Sequence, residues 1–315
     1  MNVIVVGDLA LDINSFGKYS GYSRELEGLP VFHVEKQTFN GGGAANLAGN
    51  LASLGNKVYV VGFLGDDLYG MRLRRWFDSM GIYTGYTIRT HTTQVYGKYW
   101  LYNQHLLRID IDPDFAKLYD EIDEDVQAMK INIDGILAHS SAIGRPIDVI
   151  IVADYNELNY ETVVIPELAE FVSHKSVPKI GTSRTKPDMF SSFDYVVGNH
   201  EELSSTSLSQ YTKLLDTNNF VIETRGIKGA ILKQKEQIEI IETIPSEPPI
   251  DPCGCGDTFL AVFATSICGG MTELGAIQWA NAGARWTSKQ IGTTGYPTIE
   301  QVGKEYSEIY KGDLQ

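Results

Sequence analysis

Apolar and polar positions change their period several times along the chain. Asn2 to Val6 is a short β-branched run followed by Gly7-Asp8, with Asp12 soon after, and it reads as a first buried strand. Comparable runs recur at Lys57 to Phe63, Val149 to Ala153, Pro178 to Gly181, Tyr195 to Val197 and Phe220 to Glu223. Stretches of helical spacing lie between them, around Val163 to His174 and Glu201 to Tyr211, and another enters through Gly62 to Gly70 and ends near Met80-Gly81. Strand and helix in alternation predict an α/β fold, a doubly wound and mostly parallel sheet with helices on both faces. No internal repeat or low-complexity linker interrupts it.

Two segments break that rhythm. Ser15 to Phe39 is rich in Tyr, Ser and Gly and carries Val31-Phe32-His33-Val34 just after Pro30; Gly85 to Asp110 contains the aromatic and β-branched run Val95 to Tyr102. Both read as strands standing off the main sheet, a small β lid made of residues 15–39 and 85–110 over a core of residues 1–14, 40–84 and 111–315. A lid that closes over a substrate serves a reaction from which water must be kept.

Candidate chemistry concentrates at turns between these elements. Asp251-Pro252-Cys253-Gly254-Cys255-Gly256-Asp257 leads into Phe259, Leu260, Val262, Phe263 and Ile267 at helical spacing, with Gly269-Gly270 as the stop. The Gly254 to Gly256 turn is therefore a helix N-terminus, where N–H groups and the helix dipole favour an anion such as a transferring phosphoryl group. Asp257, in the first turn, is placed to take a proton from an attacking hydroxyl. An ordinary αβ connection has the same appearance. Gly41 to Ala48 opens a helix that stops at Gly55, too far from the first strand for a dinucleotide fingerprint. Gly17-Lys18 and Gly97-Lys98 are each followed by Tyr, which excludes a P-loop. Asn199 and Glu202, one turn apart, suit either a hydrated magnesium or a capping box. Thr224 to Gly229 is a hairpin-like turn, Asn281 lies on the helix after the Asp257 helix, and Asp12 suits either a turn cap or a polyol.

Composition narrows the partners. A formal net charge of -14 with scattered Lys and Arg argues against nucleic acid. The apolar start lacks the length and basic lead of a signal peptide, and no run approaches a membrane span. Three cysteines fit a reducing cytoplasm better than a disulfide framework.

Taken in order, the early aspartate, Gly-Gly-x-x-x-Asn-x-Ala, Asn-x-x-Glu, Thr-x-Gly-x-x-Gly and Gly-x-Gly-Asp resemble the ribokinase-like sugar kinase family of the phosphofructokinase-B type, from Asn2 to about Tyr310. Within it, Ser23-Arg24, Pro30-Val31, Gly41 to Gly55, Asn103 to Asp110 and Thr224-Arg225 look most like the kinases of heptose 7-phosphate that act at the anomeric hydroxyl. The resemblance implies Asp257 as catalytic base and the Gly254, Cys255 and Gly256 backbone as anion hole. It implies sugar contacts from Asp12, Gly42, Gly43 and Asn46, with Asn103 and Arg108 on the lid, Arg108 as partner of a substrate phosphate. Asn199 and Glu202 would govern magnesium and phosphate, and Thr224, Gly226, Gly229 and Asn281 would hold the adenosine end of ATP. Asp251 matches a position that in several relatives helps bind a monovalent cation, so potassium is carried over as a candidate. Three departures stand out: Cys255 replaces the usual Ala, Asp154-Tyr155-Asn156-Glu157-Leu158 lacks the Lys-Gly of the heptose kinases, and Thr182 replaces an aspartate. A hexose or nucleoside acceptor, or a low-activity sugar or nucleotide sensor, is the alternative. The aromatic lid invites a homodimer through that sheet.

Overall fold

The computed structural model describes residues 1–90, 92–102, 104–112, 122–155, 164–204, 206–216, 220–235, 237–244, 250–292 and 295–310. Strand β1 (Asn2–Gly7) is followed after Asp8 by β2 (Leu9–Tyr22) and β3 (Pro30–Gly43), which leave the core and return into helix α1 (Ala44–Ser53). Then come β4 (Lys57–Val61), β5 (Phe63–Gly65), α2 (Leu68–Met80), β6 (Ile88–Thr90), β7 (Gln94–Leu101), β8 (Gln104–Ile111) and α3 (Ile122–Ala142). The second half alternates β9 (Val149–Asp154), α4 (Pro166–Ser173), β10 (Lys179–Ser183), β11 (Tyr195–Asn199), α5 (His200–Ser204), α6 (Leu208–Asp216) and β12 (Phe220–Thr224). The hairpin β13 (Ala230–Gln234) and β14 (Gln237–Ile241) and helices α7 (Cys255–Cys268), α8 (Glu273–Thr287) and α9 (Ile299–Tyr310) complete it.

The main sheet has eight strands in the order β14-β13-β12-β11-β10-β9-β1-β4. Pairing is parallel from β4 through β12 and antiparallel at β13 and β14. Period-two alternation sorts its side chains into two layers. Val3, Val5 and Ile151 pack with Phe259, Val262 and Phe263 of α7, whereas Ile4, Val6, Ile150 and Val152 pack with Met129 and Ile133 of α3 and Leu168 of α4. The doubly wound, mostly parallel sheet expected from the sequence is present, with a separate small sheet beside it.

That small sheet has the order β3-β2-β7-β8. It puts Asp12 opposite Tyr96, Asn14 opposite Lys98, and Lys98 opposite Arg108. The passage between the two sheets is abrupt, because Asp8 alone separates β1 from β2. Its carbonyl accepts the Ala44 N–H at 2.9 Å, and its carboxylate accepts the Tyr155 N–H at 2.9 Å. One helical segment differs from expectation. Glu201 to Tyr211 spans two helices, because the Thr206 hydroxyl donates to the Leu203 carbonyl and competes with continuation of the first.

Candidate active site

The turn before α7 is built around Gly254, which caps the helix in the left-handed region at φ 78, a conformation glycine adopts without strain. Asp251 anchors the turn from below: its buried carboxylate accepts the Cys253 N–H and the Gly292 N–H, both at 2.9 Å. Gly256 and Asp257 follow in the first helical turn, where N–H groups lack helical partners. Open space surrounds the point where a side chain at Gly256 would begin, so an anion can approach this backbone closely.

Asp257 is held on both oxygens. Asn46 on α1 donates to Oδ2 and the Tyr155 hydroxyl, just past β9, donates to Oδ1. Asn46 is in turn fixed by Asn50, whose amide donates to the Asn46 carbonyl at 2.9 Å. The Asn50 side-chain oxygen accepts from the Thr258 hydroxyl at 2.8 Å and the Tyr296 N–H at 3.1 Å. This buried polar chain ties α1 to α7 and orients the carboxylate. Burial raises the Asp257 carboxyl above its ordinary range, while the Tyr155 and Asn46 hydrogen bonds and the charge of Arg184 pull it down. Tyr155 itself is pushed well above the usual tyrosine value, mainly by burial, so it stays a donor.

A rate that needs ionised Asp257 rises as pH passes upward through its carboxyl value. Tyr155→Phe removes a hydrogen bond to the charged form, so the acidic limb of the pH–rate profile is expected to move to higher pH. An acidic limb in the same place would remove Tyr155 from this role.

On one side of Asp257, where the two sheets meet, lies a group of buried polar side chains. Asp12 is 1% exposed and pairs with Lys98 Nζ at 3.1 Å. A side chain at Gly42 would start 2.9 Å from Asp12 Oδ1, so only glycine lets β3 pass this carboxylate. Gly43 is the N-cap of α1, which delivers Asn46. Arg108 lies 4.5 Å above the Tyr96 ring, and its Nε donates to Asp110 at 2.8 Å. Asn103 lies outside the described residues.

On the other side lies a cavity of about 300 Å³, lined by Asn199, Thr224, Gly226, Gly229, Cys255, Gly256, Phe259 and Asn281 among others. Asn281 donates to the Tyr310 hydroxyl at 3.1 Å, which donates to the Glu242 carbonyl at 2.8 Å. Asn199 and Glu202 form the reciprocal capping pair: the Glu202 N–H donates to Asn199 Oδ1 at 2.9 Å and the Asn199 N–H to Glu202 Oε2 at 2.7 Å. Burial raises the Glu202 carboxyl. Burial also pushes the Cys255 thiol up to about 12, which leaves it an inert small side chain on the cavity wall. Cys255→Ala is accordingly expected to change kcat and KM by no more than about twofold in steady-state kinetics. Loss of activity would give the thiol a chemical role.

The structure thus brings Asp12, Gly42, Gly43, Asn46 and Asp257 together on one side and Asn199, Glu202, Thr224, Gly226, Gly229 and Asn281 on the other, with Gly254, Cys255 and Gly256 between them. Sequence reasoning passed over Lys98, Asn50, Tyr296 and the contact of Tyr155 with Asp257. Lys98 had a usable signal, because it alternates with Tyr96 and Trp100 on one face of β7.

A buried carboxylate in the first turn of a helix, beside the carboxyl edge of a parallel sheet and next to a cavity, is an arrangement suited to moving an anionic group onto a hydroxyl. Residues 2–299 match the pfkB family carbohydrate kinases, and the chain belongs to that family. It is accordingly a phosphotransferase with an alcohol group as acceptor. It is 28% identical over 308 residues to the bifunctional protein HldE of Histophilus somni, covering 95% of this chain and 62% of that protein. The chain therefore spans a little under two thirds of that relative. In fold it is similar to a Burkholderia thailandensis nucleoside kinase in complex with inosine, with a TM-score of 0.69 at 18% identity, covering 98% of this chain and 99% of the other. It is also similar to Arabidopsis thaliana ribokinase complexed with ribose and ATP, with a TM-score of 0.66 at 20% identity, covering 96% and 98%. Among the described residues no helix is long and apolar enough to cross a membrane.

Proposed function

We propose that the chain is an ATP- and magnesium-dependent sugar kinase that transfers the γ-phosphoryl group to a hydroxyl of a sugar phosphate, with the anomeric hydroxyl of heptose 7-phosphate as first candidate. The observation that carries this reading is the placement of Asp257 in the first turn of α7, held by Asn46 and Tyr155 next to the cavity and on the side where Asp12 lies. The sugar lies under the small sheet, with Asp12 accepting from its hydroxyls and Arg108 and Lys98 facing its phosphate. ATP lies across the cavity, with its adenosine end near Thr224, Gly226, Gly229 and Asn281. The acceptor hydroxyl displaces one donor from Asp257, gives the carboxylate its proton and attacks the γ-phosphorus, while the Gly254 to Gly256 backbone takes up the developing charge. The likeness to HldE, a heptose 7-phosphate kinase/ADP-heptose synthase, supports the choice of acceptor.

Magnesium keeps several waters and binds through one or two carboxylates together with substrate phosphates, and the Glu202 carboxylate beside Asn199 fits that demand. When bound, it would neutralise phosphate charge. Asp251 is engaged by two backbone N–H groups, so its first role is to staple the loop, and potassium would share a carboxylate already in use. Closure of the small sheet would exclude water. Leu106, Leu107 and Ile109, exposed on the edge strand β8, support pairing with a second copy through that sheet. Free cysteines and an ATP-dependent reaction support a cytoplasmic setting. An ATP-consumption screen over free sugars, sugar phosphates including heptose 7-phosphate, and nucleosides tests the reading. Turnover confined to free sugars or nucleosides would overturn the sugar-phosphate acceptor.

A further inference from the structure

The carboxyl edge of the main sheet is a ladder of candidate groups. Tyr155 follows β9, Arg184 follows β10, Asn199 ends β11 with Glu202 just beyond, and Thr224 ends β12, in the spatial order of the strands. The polar groups proposed to hold the acceptor lie toward β1, and the cavity proposed to hold the nucleotide lies toward β12. Strand β10, midway between them, ends where the group being transferred has to cross. Arg184 is the first residue beyond it.

The backbone there is pinned. The Ser183 hydroxyl donates to Asp154 at 2.6 Å and accepts the Thr185 and Lys186 N–H groups at 3.2 and 2.8 Å, while the Arg184 N–H reaches the Asp154 carbonyl at 3.3 Å. From this fixed base the exposed Arg184 side chain lies with its guanidinium carbon 5.5 Å above the ring of Tyr155, the residue that donates to Asp257. The guanidinium charge persists at every working pH, and its planar N–H fork matches the geometry of a phosphate. Its field is felt by Asp257, Tyr155 and Glu202, which places one cation among the groups on both sides of the crossing point.

We propose that Arg184 binds the γ-phosphoryl group of ATP and stabilises it during transfer. This rests on the kinase reading of the site. In the step, the bond between the γ-phosphorus and the oxygen bridging it to the β-phosphate breaks, and its electron pair stays with ADP. A new phosphorus–oxygen bond forms to the acceptor hydroxyl, whose proton passes to Asp257. Arg184 exchanges no proton or electron pair and balances the charge on the transferred group through paired N–H contacts.

The test requires no knowledge of the acceptor. The full chain is titrated with magnesium AMP-PNP and with magnesium ADP, for wild type, Arg184→Ala and Arg184→Lys, alongside thermal unfolding of each. Loss of a charge-assisted contact to the γ-phosphate is expected to weaken AMP-PNP binding by roughly ten- to a hundredfold in Arg184→Ala. ADP binding should stay within about twofold, and lysine should restore most of the loss. Equal effects on the two nucleotides, or none on either, overturn the assignment of Arg184 and leave the kinase reading standing. A wild-type chain that binds neither nucleotide overturns both.

Discussion

Asp257→Asn is expected to lower turnover by roughly two orders of magnitude or more, while the fold and ATP affinity stay nearly unchanged. The substitution keeps the shape of the side chain but removes its charge and its capacity to take a proton, and turns one of the two oxygens that accept from Asn46 and Tyr155 into an amide donor. Asn46 and Asn50 hold the position from α1, and Asp251 holds the loop from below, so the helix N-terminus survives the change. Charge stabilisation by the backbone is retained, which is why a residual rate should remain. Comparable single-turnover rates in mutant and wild type would mean that the hydroxyl loses its proton elsewhere.

The second large effect is expected at the acceptor. Arg108→Ala should raise the apparent KM for a sugar phosphate by about tenfold to a hundredfold, corresponding to roughly 1.5–3 kcal/mol for a hydrogen bond to a charged group. Arg108 and Lys98 face each other across β8 and β7 on the same side as Asp12. Like charges directly opposite each other disfavour a sheet unless something answers them. Asp110 answers Arg108 and Asp12 answers Lys98. The Arg108–Asp110 pair is partly exposed and thus inexpensive to exchange for a phosphate. Kinetics with a phosphorylated and an unphosphorylated sugar decide the matter: if neither KM changes, or both change equally, Arg108 is a surface residue and the phosphate is held elsewhere.

Much of this was legible in the sequence because it depends on local rules. Alternation placed the strands of the main sheet, and glycines at Gly254 and Gly256 before an apolar helix placed the N-terminus that carries Asp257. The Asn199 and Glu202 spacing allowed both a capping box and a metal site, and in the structure the pair caps itself. What escaped were contacts set by sheet order. Tyr155 reaches Asp257 across 102 positions, and Lys98 reaches Asp12 across 86. No periodicity encodes such distances. The split between α5 and α6 also escaped, since it turns on one hydroxyl of Thr206 choosing a backbone carbonyl. Segment 156–163, where a lysine was expected and Glu157 stands, and Asn103 lie outside the described residues.

Asp8 occupies the single position between the two sheets, and its own hydrogen bonds reach both the start of α1 and the residue that donates to Asp257. It works as a rivet, fastening the junction of the two sheets to the start of α1 and to the end of β9. A disturbance at residue 8 would therefore reach Tyr155 through its N–H and Asn46 through the first turn of α1, the two side chains that donate to Asp257.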